Sequence, residues 1–301
     1  MTVRLIPISL AIAATFPSAV LVAQAPASQP PDRWSAVEKE LGRSGTVQPD
    51  GAIKFGFPRS DLTVKIGGIT LRPAFALGSW IAFARTNGNA MMMGDLVLLE
   101  SEIPGVTDLL RRGTIQETAL HNHLLNESPH VMYMHISAIG DPVALARALH
   151  AALASTRTPL AAAAASSPGP LPLDTAALAN ALGVRGKLNG AVYQVSVARK
   201  NAVLIGGAIV PPSMGISTAI NFEPADSGRV ATTGDFVLLA SEVNAVARAL
   251  ADGGISVTAI HSHMLEESPR LIFMHFWGVG DGTSLARTLR HALGQVSRKS
   301  R

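Results

Sequence analysis

The sequence predicts an α+β protein of two homologous repeats, each an antiparallel sheet with helices and a His-bearing β-hairpin. Three observations predict it. Residues 94–153 lie over residues 234–293 at a constant offset of 140, with 29 of 60 positions identical and no gap. Within each copy, runs of apolar alternation at period two are followed by stretches at helical spacing. Finally, 48% hydrophobic and 15% charged residues over a chain of 301 supply apolar material for two domain cores of ~150 residues each.

Residues 1–27 read as a secretory signal. Arg4 gives the positive start, residues 5–22 are nearly all apolar, and Ala23-Gln24-Ala25 is a small-x-small cleavage pattern, with Ala25-Pro26-Ala27 as the alternative. The mature protein is therefore expected outside the cytoplasm, periplasmic or extracellular. No later stretch reaches the ~18 continuous apolar residues of a membrane span. The chain has no cysteine, which excludes disulfides, thiolate metal sites and a lipid-modified cysteine.

Repeat one spans residues 33–153 and repeat two residues 174–293, with an Ala/Pro/Ser-rich linker, 154–173, between them and a basic tail, 294–301, after them. Each repeat opens on a short helix (34–41, 174–182). Strands follow at 53–57, 62–66, 79–84 and 95–99 in the first copy, and at 192–198, 202–205, 218–222 and 235–239 in the second. Ile103, Val106 and Leu110 then mark a helix stopped by Gly113, repeated by Val243, Val246 and Leu250 before Gly253. A hairpin covers 115–138 and 255–278. The last helix opens at Asp141 or Asp281, good N-caps, and places Leu145, Leu149 and Leu153, or Leu285, Leu289 and Leu293, on one face. Two such halves are expected to pack about a pseudo-twofold axis as a monomer.

Six of the nine histidines fall in the hairpins. In a strand, residues two apart share a face, so His121 pairs with His123 and His261 with His263. In repeat two Ile255, Val257 and Ala259 lead straight into them, which puts the histidines on the core-facing row. Antiparallel pairing is expected to set His275 opposite His263 and His135 opposite His123. Three imidazoles would then converge in each repeat, with Glu127 or Glu267 near the turn as an oxygen ligand or general base. Neutral imidazole is the commonest metal-ligating side chain. His121, His123 and His135, and His261, His263 and His275, are therefore the candidate ligands of a divalent transition metal, zinc first, with manganese, iron or copper as further choices.

Other motifs read as structure. Asp95 and Asp235 follow glycine, a turn position, while Glu102 and Glu242 open helices where negative charge suits the dipole. The Met beside each terminal His points to the opposite strand face, against a copper(I) site. Aromatics at 5% and scattered basic residues, at a net charge of +4, give no nucleic-acid stripe. The expected partner is a metal ion or small molecule. Three functions follow: metal binding with the reaction unassigned, a metal-dependent hydrolase-like enzyme, or a non-catalytic ligand-binding or interaction scaffold with structural histidines.

Gly78-Ser79-Trp80, Met93-Gly94-Asp95-Leu96-Val97-Leu98-Leu99-Glu100, Ala119-Leu120-His121-Asn122-His123 and Met134-His135 resemble the LppY/LpqO family. The second copy carries the same signature as Ala259-Ile260-His261-Ser262-His263 and Phe273-Met274-His275-Phe276-Trp277-Gly278. The resemblance covers nearly all of the mature chain. It implies an exported bacterial protein and this fold unit, and no reaction. Two departures matter. There is no lipobox cysteine. The hairpin turn, often Glu-Pro-Arg in the family, reads Ser128-Pro129-His130 and Ser268-Pro269-Arg270 here, so Glu127 or Glu267 would substitute for that glutamate at a shifted position.

Overall fold

A computed structural model describes residues 34–86, 88–161 and 172–296. The signal segment, half of the linker and the end of the basic tail lie outside the described residues. Each repeat builds a six-stranded antiparallel sheet. In the first, β1 (Thr46–Val47), β2 (Ile53–Pro58), β3 (Gly78–Thr86), β4 (Asn89–Leu99), β5 (Gln116–His121) and β6 (Val131–Gly140) are ordered β1-β2-β3-β4-β6-β5. In the second, β7 (Lys187–Asn189), β8 (Val192–Ala198), β9 (Ser217–Pro224), β10 (Val230–Leu238), β11 (Ser256–His261) and β12 (Ile272–Gly280) follow the same order, β7-β8-β9-β10-β12-β11. The expected strands at 62–66 and 202–205 shrink to Lys65–Ile66 and Leu204–Ile205, which pair in small separate sheets. The strand expected from Asp95 begins six residues earlier, at Asn89.

Three helices cover the outer face of each sheet: α1 (Ser35–Leu41), α2 (Ile103–Arg112) and α3 (Pro142–Ala154) on the first, α4 (Thr175–Leu182), α5 (Val243–Asp252) and α6 (Gly282–Val296) on the second. The capping is as the sequence suggests, with the Asp141, Asp174 and Asp281 carboxylates accepting from backbone N–H groups of the first turn. Val37, Phe55, Phe83, Leu96, Leu110, Ile136 and Leu149 fill the first helix–sheet core. Its counterpart holds Leu178, Tyr193, Phe222, Phe236, Leu250, Phe276 and Leu289.

The inner faces of the two sheets meet each other, giving a helix–sheet–sheet–helix sandwich. Two apolar clusters at that junction draw on both repeats. One joins Ala82, Met91 and Met93 to Met214, Val237, Met264 and Phe273. The other joins Phe75, Val97, Leu124 and Tyr133 to Val192 and Ala231. Burial of both sheet faces explains why the central strands β4 and β6 are buried almost residue by residue rather than in alternation. The arrangement fits pseudo-twofold symmetry, and no helix among the described residues is long and apolar enough to cross a membrane.

Candidate functional site

The histidines sit on the inner faces, where the repeats meet. A β-bulge puts them there. In repeat two Val257 pairs with Phe276, but Ala259 pairs with His275, so Thr258 is an extra residue in the edge strand. Repeat one has the same shift between Glu117, opposite Ile136, and Ala119, opposite His135. One inserted residue exchanges the two faces of everything beyond it. Ile255 and Val257 therefore pack under the helices, while His261 lies on the inner face. This corrects the expected continuation of one core-facing row. It also corrects the register: His275 stands opposite Ala259 and Asp235, and His135 opposite Ala119 and Asp95, because the strands β5 and β11 end at His121 and His261.

The two hairpins do not make separate clusters. The six rings interleave across the repeat boundary, with centroid separations of 3.6 Å for His121–His261, 3.8 Å for His123–His275 and 3.5 Å for His135–His263. Beyond the strand ends, His123 stacks on Tyr133 at 3.3 Å and His263 on Phe273 at 3.6 Å. The bulge threonines lock the crossing. Thr118 Oγ1 donates to the His263 carbonyl at 2.6 Å, and Thr258 Oγ1 to the His123 carbonyl at 2.5 Å.

Two sets of potential ligand atoms result, each with its members within 4.8 Å of one another: His121, His261, His263 and His275, and His121, His123 and His135. His135, His263 and His275 are buried, and His121, His123 and His261 half-buried. Nε2 of all six has no hydrogen-bond partner. Two rings are oriented from behind: His275 Nδ1 donates to the Gly234 carbonyl and His121 Nδ1 to the Asn122 carbonyl, both at 3.1 Å. Those bonds place the proton on Nδ1 and leave the Nε2 lone pair free. Burial is the first cause holding every one of these imidazoles below its usual pKa, to about 3 for His121 and about 4 for His261. They are neutral at physiological pH, the form that binds metal.

Sequence reasoning set aside two residues that the structure brings to the site. Asp95 is central in β4, and its Oδ2 lies 3.7 Å from His123 Nε2 and 3.8 Å from His135 Nε2. Asp235 lies 3.8 Å from His263 Nε2 and 3.9 Å from His275 Nδ1. Burial raises both carboxyls, Asp95 to about 7. The available signal was a Gly-Asp pair repeated in both copies and followed each time by an apolar run, Leu96-Val97-Leu98 and Phe236-Val237-Leu238. The glycines belong to this geometry: a Cβ on Gly94 would stand 2.8 Å from the Trp80 carbonyl oxygen, and one on Gly234 would meet the Ala219 carbonyl.

Glu102 and Glu242 are elsewhere, each pairing with an arginine that sequence reasoning passed over. Fully buried Arg59 meets Glu102 at 2.7 Å and Asp61 at 2.8 Å, and Arg199 meets Glu242 at 2.9 Å. Glu127 and Glu267 fall in neither ligand set. Glu267 accepts from Leu271 N and pairs with Arg270, while buried Glu127 has His130 at 3.5 Å. The remaining histidines, His130, His150 and His291, are also outside both sets.

A family model described as "Domain of Unknown Function (DUF1259)" matches residues 35–155 and, in a second copy, 176–295. No curated protein matches the chain. Among solved structures, a trimeric bacterial microcompartment shell protein PduB is 12% identical at a TM-score of 0.22, over 83% of this chain and 89% of its own. EtuB from Clostridium kluyveri is 11% identical at 0.20, over 83% and 88%. The double ringed trimeric shell protein MSM0271 is 11% identical at 0.20, over 71% and 86%. Superposition at these scores carries no argument about this protein.

Proposed function

The chain belongs to the DUF1259 family in two tandem copies, and since that family description carries no activity, we propose from the site itself that the protein binds a transition metal between its repeats. His121, His123, His135, His261, His263 and His275 are the ligands in this reading. One observation carries it: six mutually adjacent imidazoles whose Nε2 atoms have no hydrogen-bond partner. Leaving a polar atom buried and unpaired costs about 1–3 kcal/mol. Six together call for a compensating interaction, and a metal ion accepting these lone pairs supplies one. A purely structural histidine cluster would have its nitrogens bonded to protein, so the same atoms weigh against the scaffold reading.

Zinc leads the choice of metal, because nitrogen donors without thiolate suit it, with manganese, iron and copper behind. A bound ion would supply Lewis acidity, and a hydrolase-like role follows if a coordination position opens toward the half-exposed side of His121 and His261. Export through the 1–27 segment belongs to the same proposal, and N-terminal sequencing of the mature protein checks it.

The test is the metal content of untagged mature protein beside a His123→Ala/His263→Ala variant. A single transition metal retained by wild type and lost from the variant supports the reading. Wild type that takes up no zinc, manganese, iron or copper on incubation overturns it.

A further inference from the structure

The histidine site has an acid on each side, Asp95 and Asp235, beside the two all-histidine sets of ligand atoms. A carboxylate that merely orients an imidazole accepts its N–H at about 2.7–2.9 Å. Asp95 Oδ2 stands at 3.7 and 3.8 Å from two imidazole nitrogens at once, His123 Nε2 and His135 Nε2. That is too long for a hydrogen bond to either. Donor atoms that share one ion at bond lengths of about 2.0–2.2 Å stand about 3–4 Å apart, and Asp95 Oδ2 keeps that spacing to each of the two nitrogens. Asp95 Oδ1 is buried with no hydrogen-bond partner, and Lys54 acts on this carboxylate through its charge alone.

The second repeat has a related arrangement. Asp235 Oδ2 is 3.8 Å from His263 Nε2, and Asp235 Oδ1 is again buried without a hydrogen-bond partner. The His275 nitrogen facing Asp235 is Nδ1, 3.9 Å from Oδ1 and committed to the Gly234 carbonyl, so His275 would ligate through its free Nε2. Among the described residues, Asp95 and Asp235 are the acids within 4.0 Å of these six rings. Charge makes the same demand. Six neutral imidazoles bring no negative charge, and a dication in a dry junction is costly without an anion beside it.

We infer that Asp95 and Asp235 are metal ligands and that the junction holds two divalent ions, one bound by His123, His135 and Asp95, the other by His263, His275 and Asp235. His121, common to both sets of ligand atoms, and His261, in contact with it, lie between the two trios and are the further imidazole ligands. This deepens the metal-binding reading and rests on it. Two imidazoles and one carboxylate per ion favour divalent iron, manganese or zinc over copper(I), whose preferred donors are soft sulfur atoms.

Metal-stripped full-length mature protein would be titrated with manganese(II) and with cobalt(II), beside Asp95→Asn, Asp235→Asn and the double variant. Bound metal is counted after dialysis and cobalt ligation is read from its visible absorption. Two equivalents in wild type are expected, with one binding step weakened more than ~100-fold in each single variant and both in the double. Outer-shell partners move affinity only ~10–100-fold. A single equivalent in wild type, or variants that keep both ions within ~100-fold of wild-type affinity, overturns the inference while leaving metal binding intact. No uptake by wild type overturns both. If a variant fails to fold, wild type alone decides: two bound manganese ions in one junction give a spin-coupled paramagnetic resonance signal, and an uncoupled single-ion signal counts against the proposal.

Discussion

Thr118 of the first repeat donates its hydroxyl to the backbone carbonyl of His263 in the second, at 2.6 Å. Thr258 returns the bond to the His123 carbonyl. Each threonine is the bulged residue of its own edge strand, so the feature that turns one repeat's histidines inward also pins the other repeat's histidine loop. Thr118→Val or Thr258→Val leaves a carbonyl unpaired at the junction and is expected to cost about 1–3 kcal/mol, read by urea denaturation. The double variant is expected to bind metal more weakly than either single one.

Glu102 faces Arg59, whose side chain has no solvent exposure, while also accepting from Leu99 N. Glu102→Ala leaves a buried guanidinium with Asp61 as its one carboxylate partner. Asp61 still compensates the charge, so the expected loss is about 1–3 kcal/mol, that of the hydrogen bonds left unmade. Glu100→Ala, at a side chain 70% exposed, is expected to leave the unfolding midpoint within error.

Repeat two supplies a design for repeat one. Arg270 Nη1 pairs with Glu267 and donates to the Met264 carbonyl at 2.9 Å, whereas Glu127, at the matching position, has no hydrogen bond to either oxygen and only His130 at 3.5 Å. His130→Arg is expected to give Glu127 the missing donor and to raise stability by about 1 kcal/mol, seen as a higher melting temperature.

Acid is expected to unfold the metal-free protein steeply. The six junction histidines are held below their usual pKa by burial, so the unfolded chain takes up protons below about 6.5 that the folded chain refuses. Their stability contribution is present above that pH and lost as pH falls toward about 4 and 3, the values for His261 and His121. Asp95 and Asp235 act in the opposite sense, their raised values favouring the folded state as they protonate. Six groups against two leave an uptake of about four protons on unfolding near pH 5. A denaturation series across that range measures it, and a flat profile contradicts it.

Glu223 is fully buried in β9, accepts from Arg72 N at 3.2 Å and has Oε1 unpartnered. Burial raises it from 4.5 to about 7. A raised carboxyl favours the folded state at low pH, and that advantage is lost as pH rises through about 7. Glu223→Gln keeps an acceptor for Arg72 N without the charge. It is expected to stabilise the protein above pH 7 by up to about 3 kcal/mol and to change little near pH 4.

The duplication, the helix faces, the capped starts of α3 and α6, and the six histidines as the residues to watch were all legible in the chain of residues alone. These are local properties: a copied string, a period of three to four, an Asp before a helix, an imidazole at i and i+2. The tertiary structure decided which way the histidines point and what they meet. A one-residue bulge at Thr118 and Thr258 leaves no mark on apolar alternation, because the threonine that interrupts the pairing fits the pattern of the strand around it. Asp95 and Asp235 looked like turn residues because glycine precedes them; only the pairing of β4 with β6, and of β10 with β12, sets them beside His135 and His275. Two clusters became one for the same physical reason. The inner sheet faces are apolar, burying them against each other is the favourable way to exclude water, and that packing brings residues 140 positions apart, such as His121 and His261, within 3.6 Å between ring centroids.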